Sequence, residues 1–329
     1  MEYTSLSNAQ NIGRAVAIYR HGKDLPVPDE PTLVILVGSP AVGKTTQARR
    51  ILAEQGMDYE NFYNVSLDSL AETTQPYRNA TRAFYEEYAK RKPNARVTGP
   101  VPPTEIHPIH ENMGKFSGFY TTVTQSQRNN FGMTESLRGA VQRLNTPGYK
   151  PSSANKRKAN TEFPINKTKL TLIDVREEAF KVGLQQGYDI IYDTTFKSDT
   201  SKFREIIKTV QQNASKKYKI MVVHVTAPQG DVEARMRGRQ EGMIMDPEKA
   251  IRGIPFKMTW MFIKDNSEGY NKVKEYVTSG EVSSDFPTFS PEDFTFLQAD
   301  NPTKGGRRLR SQTKKRTKSR RGRTLKNRP

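Results

Sequence analysis

A short apolar run, TLVILVG at residues 32–38, leads directly into GSPAVGKTT at 38–46. The run has no polar alternation and is rich in β-branched residues, which predicts a strand buried on both faces, as in a parallel sheet. The second stretch fits G-x-x-x-x-G-K-[ST] in full from Gly38 to Thr45. Its glycines let backbone N–H groups turn inward around a phosphate, and the helix that follows points its positive end at the same place. This phosphate cradle comprises Gly38, Ser39, Pro40, Ala41, Val42, Gly43, Lys44, Thr45 and Thr46. Lys44 reaches the outer phosphates of a nucleotide as a compact charge, and the Thr45 hydroxyl suits Mg2+.

Around this landmark the chain alternates strand and helix. NAQNIGRAVAIYR at 8–20 predicts a helix with Ile12, Val16 and Tyr19 at helical spacing. KTTQARRILAEQG turns Ala48, Ile51 and Leu52 inward and ends at Gly56, and FYNVS at 62–66 reads as a second strand. Residues 76–91 carry another helical pattern, with Ala80, Phe84 and Tyr88 on one side. The pattern then weakens across 93–169, an irregular insertion in which only 134–144 is helical in spacing. LTLIDVREEAFKVGLQQG is a helix closed by Gly187 and YDIIYDTTF at 188–196 a third strand. SKFREIIKTVQQNASKK is amphipathic, and YKIMVVHVTAP at 218–228 is a fourth strand. An arginine-rich helix and one or two closing helices complete the order. The rhythm predicts an α/β fold, a P-loop NTPase-type parallel sheet sandwiched by helices. We divide the chain into an N-terminal helical extension (1–30), the P-loop domain (31–300) and a basic tail (301–329).

Charge separates the tail from the rest. The net charge is +18, and 13 of the Lys and Arg residues lie between Lys304 and the C-terminus, with no Asp or Glu among them. Residues 1–303 therefore carry only +5. The tail holds too few apolar residues to fold alone and reads as disordered. It suits salt-sensitive, sequence-independent contact with nucleic acid, and equally a nuclear-import signal. The absence of cysteine excludes disulfides and thiolate zinc sites and fits a reducing compartment, cytoplasmic or nuclear. No run of about 18 apolar residues suggests a membrane span. The tail also resembles those on proteins of large DNA viruses, which adds association with a virion to the placements. Oligomeric state is not legible.

Three further features bear on the chemistry. The third strand ends in Asp193-Thr194-Thr195, placing a carboxylate where it serves the metal. A Glu beside that Asp, common where water is activated for hydrolysis, is missing. NVSLDSL puts Asp68 just past the second strand, on the sheet edge where ligands bind. There a carboxylate accepts the proton of an attacking hydroxyl; alternatively Asp68 or Ser69 caps the next helix, since Ser69-Leu70-Ala71-Glu72 spells a capping box. Arg235 and Arg239, four apart in EARMRGRQEG, share a helix face suited to closing over a transferred phosphoryl group.

The cradle, VSLDSL, YDIIYDTTF and VHVTAPQGDVEARMRGR, in that order, resemble the zeta-toxin-like branch of small-molecule kinases, itself akin to polynucleotide kinases. The resemblance spans roughly residues 31–92 and 170–275. It implies that Lys44 and Thr45 hold phosphate and Mg2+, that Asp68 is the general base, that Asp193 stands on the metal side, and that Arg235 and Arg239 are lid contacts. One departure stands out. Such enzymes commonly carry another arginine shortly after the lid glycine, where this chain has Gly242-Met243-Ile244-Met245, leaving Arg252 as a substitute.

The expectation is thus a kinase using ATP or GTP with Mg2+, acting on a hydroxyl of a sugar- or nucleotide-like molecule or of a polynucleotide 5′ end. A nucleic-acid-binding protein with a regulatory or degenerate nucleotide site and an NTP-hydrolysing ATPase are the alternatives. His107, His110 and Glu111 lie in a proline-rich loop and lack a fourth metal ligand. Glu177 and Glu178 read as a solvated helix face, and Trp260, Met258, Met261 and Phe262 as core packing.

Overall fold

The structure is a computed structural model and describes residues 7–73, 170, 172–245 and 256–301. In chain order the elements are α1 (Asn8–Tyr19), β1 (Thr32–Val37), α2 (Lys44–Glu54), a 3-10 turn (Tyr59–Asn61), β2 (Tyr63–Val65) and α3 (Leu67–Glu72). They continue with α4 (Leu172–Gln186), β3 (Ile190–Thr194), α5 (Ser201–Asn213), β4 (Lys219–Thr226) and α6 (Gln229–Met245). α7 (Phe256–Thr278), α8 (Glu281–Asp285), a second 3-10 turn (Pro291–Asp293) and β5 (Phe294–Asp300) close the order.

The five strands form one parallel sheet in the order β2-β3-β1-β4-β5. β1 is central, and its alternation explains its apolar run. Leu33, Ile35 and Val37 enter one core cluster, whereas Val34 and Leu36 enter the other. Successive side chains of a strand point to opposite faces, so a strand covered on both sides must be apolar throughout. The first core gathers side chains from α1, α4, α5 and α7, including Tyr19, Phe180, Phe203 and Tyr270. The second is closed by Ala48, Ile51 and Leu52 of α2 and by Val232 and Met236 of α6. Full burial of each such large apolar side chain contributes about 1.5–3 kcal/mol.

The predicted helix at 8–20 is present, but its buried face is turned by one position. Asn11, Ala15 and Tyr19 are buried, with Ile12 and Val16 flanking them. The Tyr19 hydroxyl fixes this rotation by donating to Ser66 O at 3.1 Å, and its ring meets Tyr63 edge-on. β5 was not anticipated. Its sequence, FTFLQAD, mixes exposed and buried positions, as befits a strand at the sheet border. The helical patterns read at 76–91 and 134–144, the insertion at 93–169, His107, His110, Glu111, Arg252 and the tail beyond 301 lie outside the described residues.

His224 of β4 is the one buried imidazole among the described residues. Its ring stacks on Tyr270 with centroids 4.8 Å apart, and its Nδ1 has no hydrogen-bond partner among the described residues. Burial lowers its pKa to about 4, against a weaker opposing pull from Asp300. The unfolded chain, titrating near 6.5, then binds more protons than the folded one between these values. Stability is therefore full above about pH 6.5 and falls as pH drops toward 4, by ~3 kcal/mol in total. Urea midpoints between pH 4 and 7 should show this slope in the native chain and a flatter one in His224→Phe. An identical slope in both proteins contradicts the assignment.

Candidate nucleotide-binding cleft

The loop between β1 and α2 is held in an unusual backbone geometry. Gly43 has φ +91°, and a Cβ there would fall 2.0 Å from Asn301 Nδ2, so only glycine fits. Ala41 also adopts a positive φ, 62°, a conformation rarely tolerated outside glycine and concentrated at functional loops. Val42 O anchors the outer side of the loop. It accepts from Asn301 Nδ2 at 2.8 Å and from Arg235 Nη1 at 3.0 Å. Arg235 Nη2 donates to Asn301 O at 2.7 Å, so α6, the end of β5 and the cradle are joined at one point. Inside the loop, Lys44 Nζ donates to Gly38 O at 2.7 Å and stands 3.1 Å from Asp193 Oδ1.

β3 carries Asp193 beside Leu36 of β1. Tyr192, one residue earlier, faces the first core, so the strand's alternation turns Asp193 toward the α2 side, where Lys44 lies. Beyond β2, Ser66 Oγ accepts from Ser69 N at 3.3 Å at the start of α3. The capping position thus belongs to Ser66, and Asp68 sits in the first turn of the helix instead of capping it.

These elements enclose a cleft of about 370 Å3, lined by Lys44, Thr45, Thr46, Asp68 and Asp193 among others. The carboxylate that the sequence places at the second strand and the one at the third are therefore brought to one lining with the cradle lysine. Thr45 is exposed, and the Asp193 side chain is 28% exposed. Together they offer hard oxygen ligands to a Mg2+ that keeps several waters and gains the rest from phosphate, so these residues fit the ion. Among the described residues no group of three or more His, Cys, Asp or Glu gathers as a metal site.

Arg235 is not on the cleft lining. Its guanidinium is engaged by Val42 O and Asn301 O, and contact with a transferred phosphate requires those bonds to be exchanged. The backbone of α6 includes Arg239, whose side chain lies outside the described residues, as does that of Trp260.

The sequence reading overlooked part of the lining. Tyr59, Asn64, Arg176 and Phe262 all face the cleft. The sequence places Phe262 in core packing, whereas in the structure it lines the cleft. Tyr59 accepts a hydrogen bond from Asn64 Nδ2, and burial, with a smaller contribution from Asp193, raises its pKa. Glu177 is also not a solvated face. It accepts from Arg176 Nη2, from the Tyr192 hydroxyl at 2.9 Å and from Lys202 Nζ at 3.4 Å. Burial works to raise the Glu177 pKa, but the Arg176 and Lys202 charges prevail and lower it. The signal for Arg176 was present: it lies four residues from both Leu172 and Phe180, on the buried stripe of its helix.

Strand order, parallel pairing and the loop after the central strand define an α/β protein of P-loop architecture. No protein-family profile matches the sequence, and no curated protein matches it. Among solved structures, a chain from the PezAT chromosomal toxin–antitoxin system of Streptococcus pneumoniae is similar at 13% identity and a TM-score of 0.43, covering 91% of this chain and 81% of that one. No helix among the described residues is long and apolar enough to cross a membrane.

Proposed function

We propose that this chain is an ATP- and Mg2+-dependent phosphotransferase that moves a γ-phosphoryl group to a hydroxyl. The observation that carries the reading is the shared lining of Lys44, Thr45, Asp193 and Asp68 in one cleft beside a Gly-Lys-Thr cradle. In this reading the inward N–H groups of residues 38–46 and Lys44 hold the phosphates, with GTP as the alternative donor. Thr45 and Asp193 would hold Mg2+, directly or through water, and the ion would supply charge neutralisation for the phosphoryl oxygens. Asp68 orients the acceptor hydroxyl and takes its proton as the O–P bond forms. Catalysis is then mostly positioning and electrostatics. Arg235 and Arg239 are the lid residues of this scheme, closing over the transferred group once Arg235 leaves Val42 O.

The acceptor is a sugar- or nucleotide-like hydroxyl compound or a polynucleotide 5′ end. The run of 13 cations after residue 303 supports contact with nucleic acid. The test is incubation with γ-labelled ATP and Mg2+ and two acceptor pools, oligonucleotides with free 5′ hydroxyls and a nucleotide-sugar library. Label is expected in one pool. Free phosphate released far faster than any acceptor is labelled would favour an ATPase instead.

A further inference from the structure

α4 presents Leu172, Arg176, Phe180 and Leu184 at four-residue intervals along one ridge. Three of them enter the first core. The fourth is a cation, only 8% exposed, on the lining of the cleft that also contains Asp68 and Ser66. Burying a guanidinium costs several kcal/mol unless its donors are met, and it carries five of them. Here the supply of acceptors is short. Arg176 Nη2 donates to Glu177 Oε1, and Nε has no hydrogen-bond partner among the described residues. That same Glu177 oxygen also serves the Tyr192 hydroxyl and Lys202 Nζ. Lys202 has a second carboxylate in Glu205 at 3.2 Å, but Glu205 is 68% exposed and screened by water.

A purely structural arginine–carboxylate pair of this depth favours two parallel bonds to two oxygens, with the remaining N–H groups satisfied. Arg176 instead shares one oxygen with two other donors, a second cation among them. The Tyr192 ring lies 5.3 Å from its guanidinium carbon and 5.8 Å from Lys202 Nζ, which supports both charges without supplying an acceptor. Burial opposes the guanidinium's charge, but Tyr192 and Glu177 outweigh it and raise its pKa, so the group is a fixed cation.

We propose that Arg176 binds a phosphate group carried by the acceptor itself, and so selects acceptors in which a phosphate ester lies near the reacting hydroxyl. The inference rests on the phosphotransferase reading and narrows its acceptor to phosphorylated compounds. In the reaction the acceptor oxygen bonds to the γ-phosphorus, the bond from that phosphorus to the β,γ-bridging oxygen breaks, ADP leaves, and the hydroxyl proton passes to Asp68. The acceptor's own phosphate is unchanged and serves as the handle. Its planar guanidinium partner matches two phosphate oxygens at once.

The test is equilibrium binding to the full chain in the presence of Mg2+ and saturating non-hydrolysable ATP analogue. Three probes are titrated: a nucleoside, its 5′-monophosphate and its 3′-monophosphate. The last mimics a polynucleotide 5′ end, and the 5′-monophosphate mimics a free nucleotide acceptor. One of the two phosphorylated probes is expected to bind about ten- to a hundredfold more tightly than the nucleoside, the range of a charge-assisted hydrogen bond to phosphate. Arg176→Met should abolish that preference, and Arg176→Lys should reduce it several-fold. Analogue affinity should stay within twofold in both. A wild-type chain that binds all three probes equally overturns the proposal, as does a folded Arg176→Met chain that keeps the preference. If Arg176→Met does not fold, an unchanged preference in Arg176→Lys overturns it. Failure of wild type to bind the analogue sinks the phosphotransferase reading separately. The cradle then takes no nucleotide and the three titrations still report on Arg176.

Discussion

Asp68→Asn is expected to lower phosphoryl transfer by about 10²–10⁴-fold, the usual contribution of a positioned general base. The replacement keeps size and one acceptor oxygen but cannot hold the hydroxyl proton. The helix that carries Asp68 begins with a cap from Ser66 Oγ to Ser69 N, which the exchange leaves in place. Unfolding of α3 is therefore not the expected consequence. Affinity for Mg2+ and the ATP analogue should change by less than about twofold if Asp68 acts only on the acceptor. The measurement is label transfer at saturating ATP beside analogue binding by titration. Transfer within tenfold of wild type would remove Asp68 from the mechanism, and an equal fall in nucleotide affinity would move it to the phosphate side.

Lys44→Ala should lower transfer by about 10²–10³-fold, comparable to the loss of a fixed donor aimed at developing charge. Unlike Asp68→Asn, it should weaken analogue binding as well. Lys44 Nζ already rests between Gly38 O and the Asp193 carboxylate, inside the loop that would receive the phosphates. The ammonium is thus held where it must act. The Lys44 side chain is 15% exposed and its partner 28%, so the ion pair is partly screened and its removal should cost little fold stability. A melting temperature within a few degrees of wild type, together with the functional loss, is the expected pair of results. Unimpaired analogue binding in this variant would show that the cradle does not hold the phosphates through Lys44.

What was legible in the sequence follows from local rules. β1 and β4 were visible because strands covered on both faces are apolar almost throughout, His224 being the single polar residue in the buried part of β4. The cradle was visible because few residue types satisfy its backbone. β5 was hidden, since a border strand with exposed positions has neither an apolar run nor clean alternation. The rotation of α1 was set by the Tyr19 hydroxyl reaching Ser66 O, a contact 47 residues away that no helical wheel contains. Arg176 was overlooked for a related reason. A basic residue on an apolar stripe means little until the strand it faces is known, and that strand brings Tyr192 beneath it. For Asp68 the residues alone leave two roles open, proton acceptor or helix cap. α3 starts three residues earlier than the Ser69-Leu70-Ala71-Glu72 pattern suggests, which makes Ser66 the cap and leaves Asp68 inside the first turn.

The two ends of the cleft draw on separate parts of the chain. β1, β4 and the residue after β5 build the cradle and its clasp, whereas β2, α3 and α4 build the side that holds Asp68 and Arg176. β2 at the sheet border and β3 beside it are paired, and in the chain they are separated by α3, residues 73–171 and α4. Under the proposed reaction, substitutions on α3 and α4 would then change the choice of acceptor while leaving the loop that holds the donor untouched.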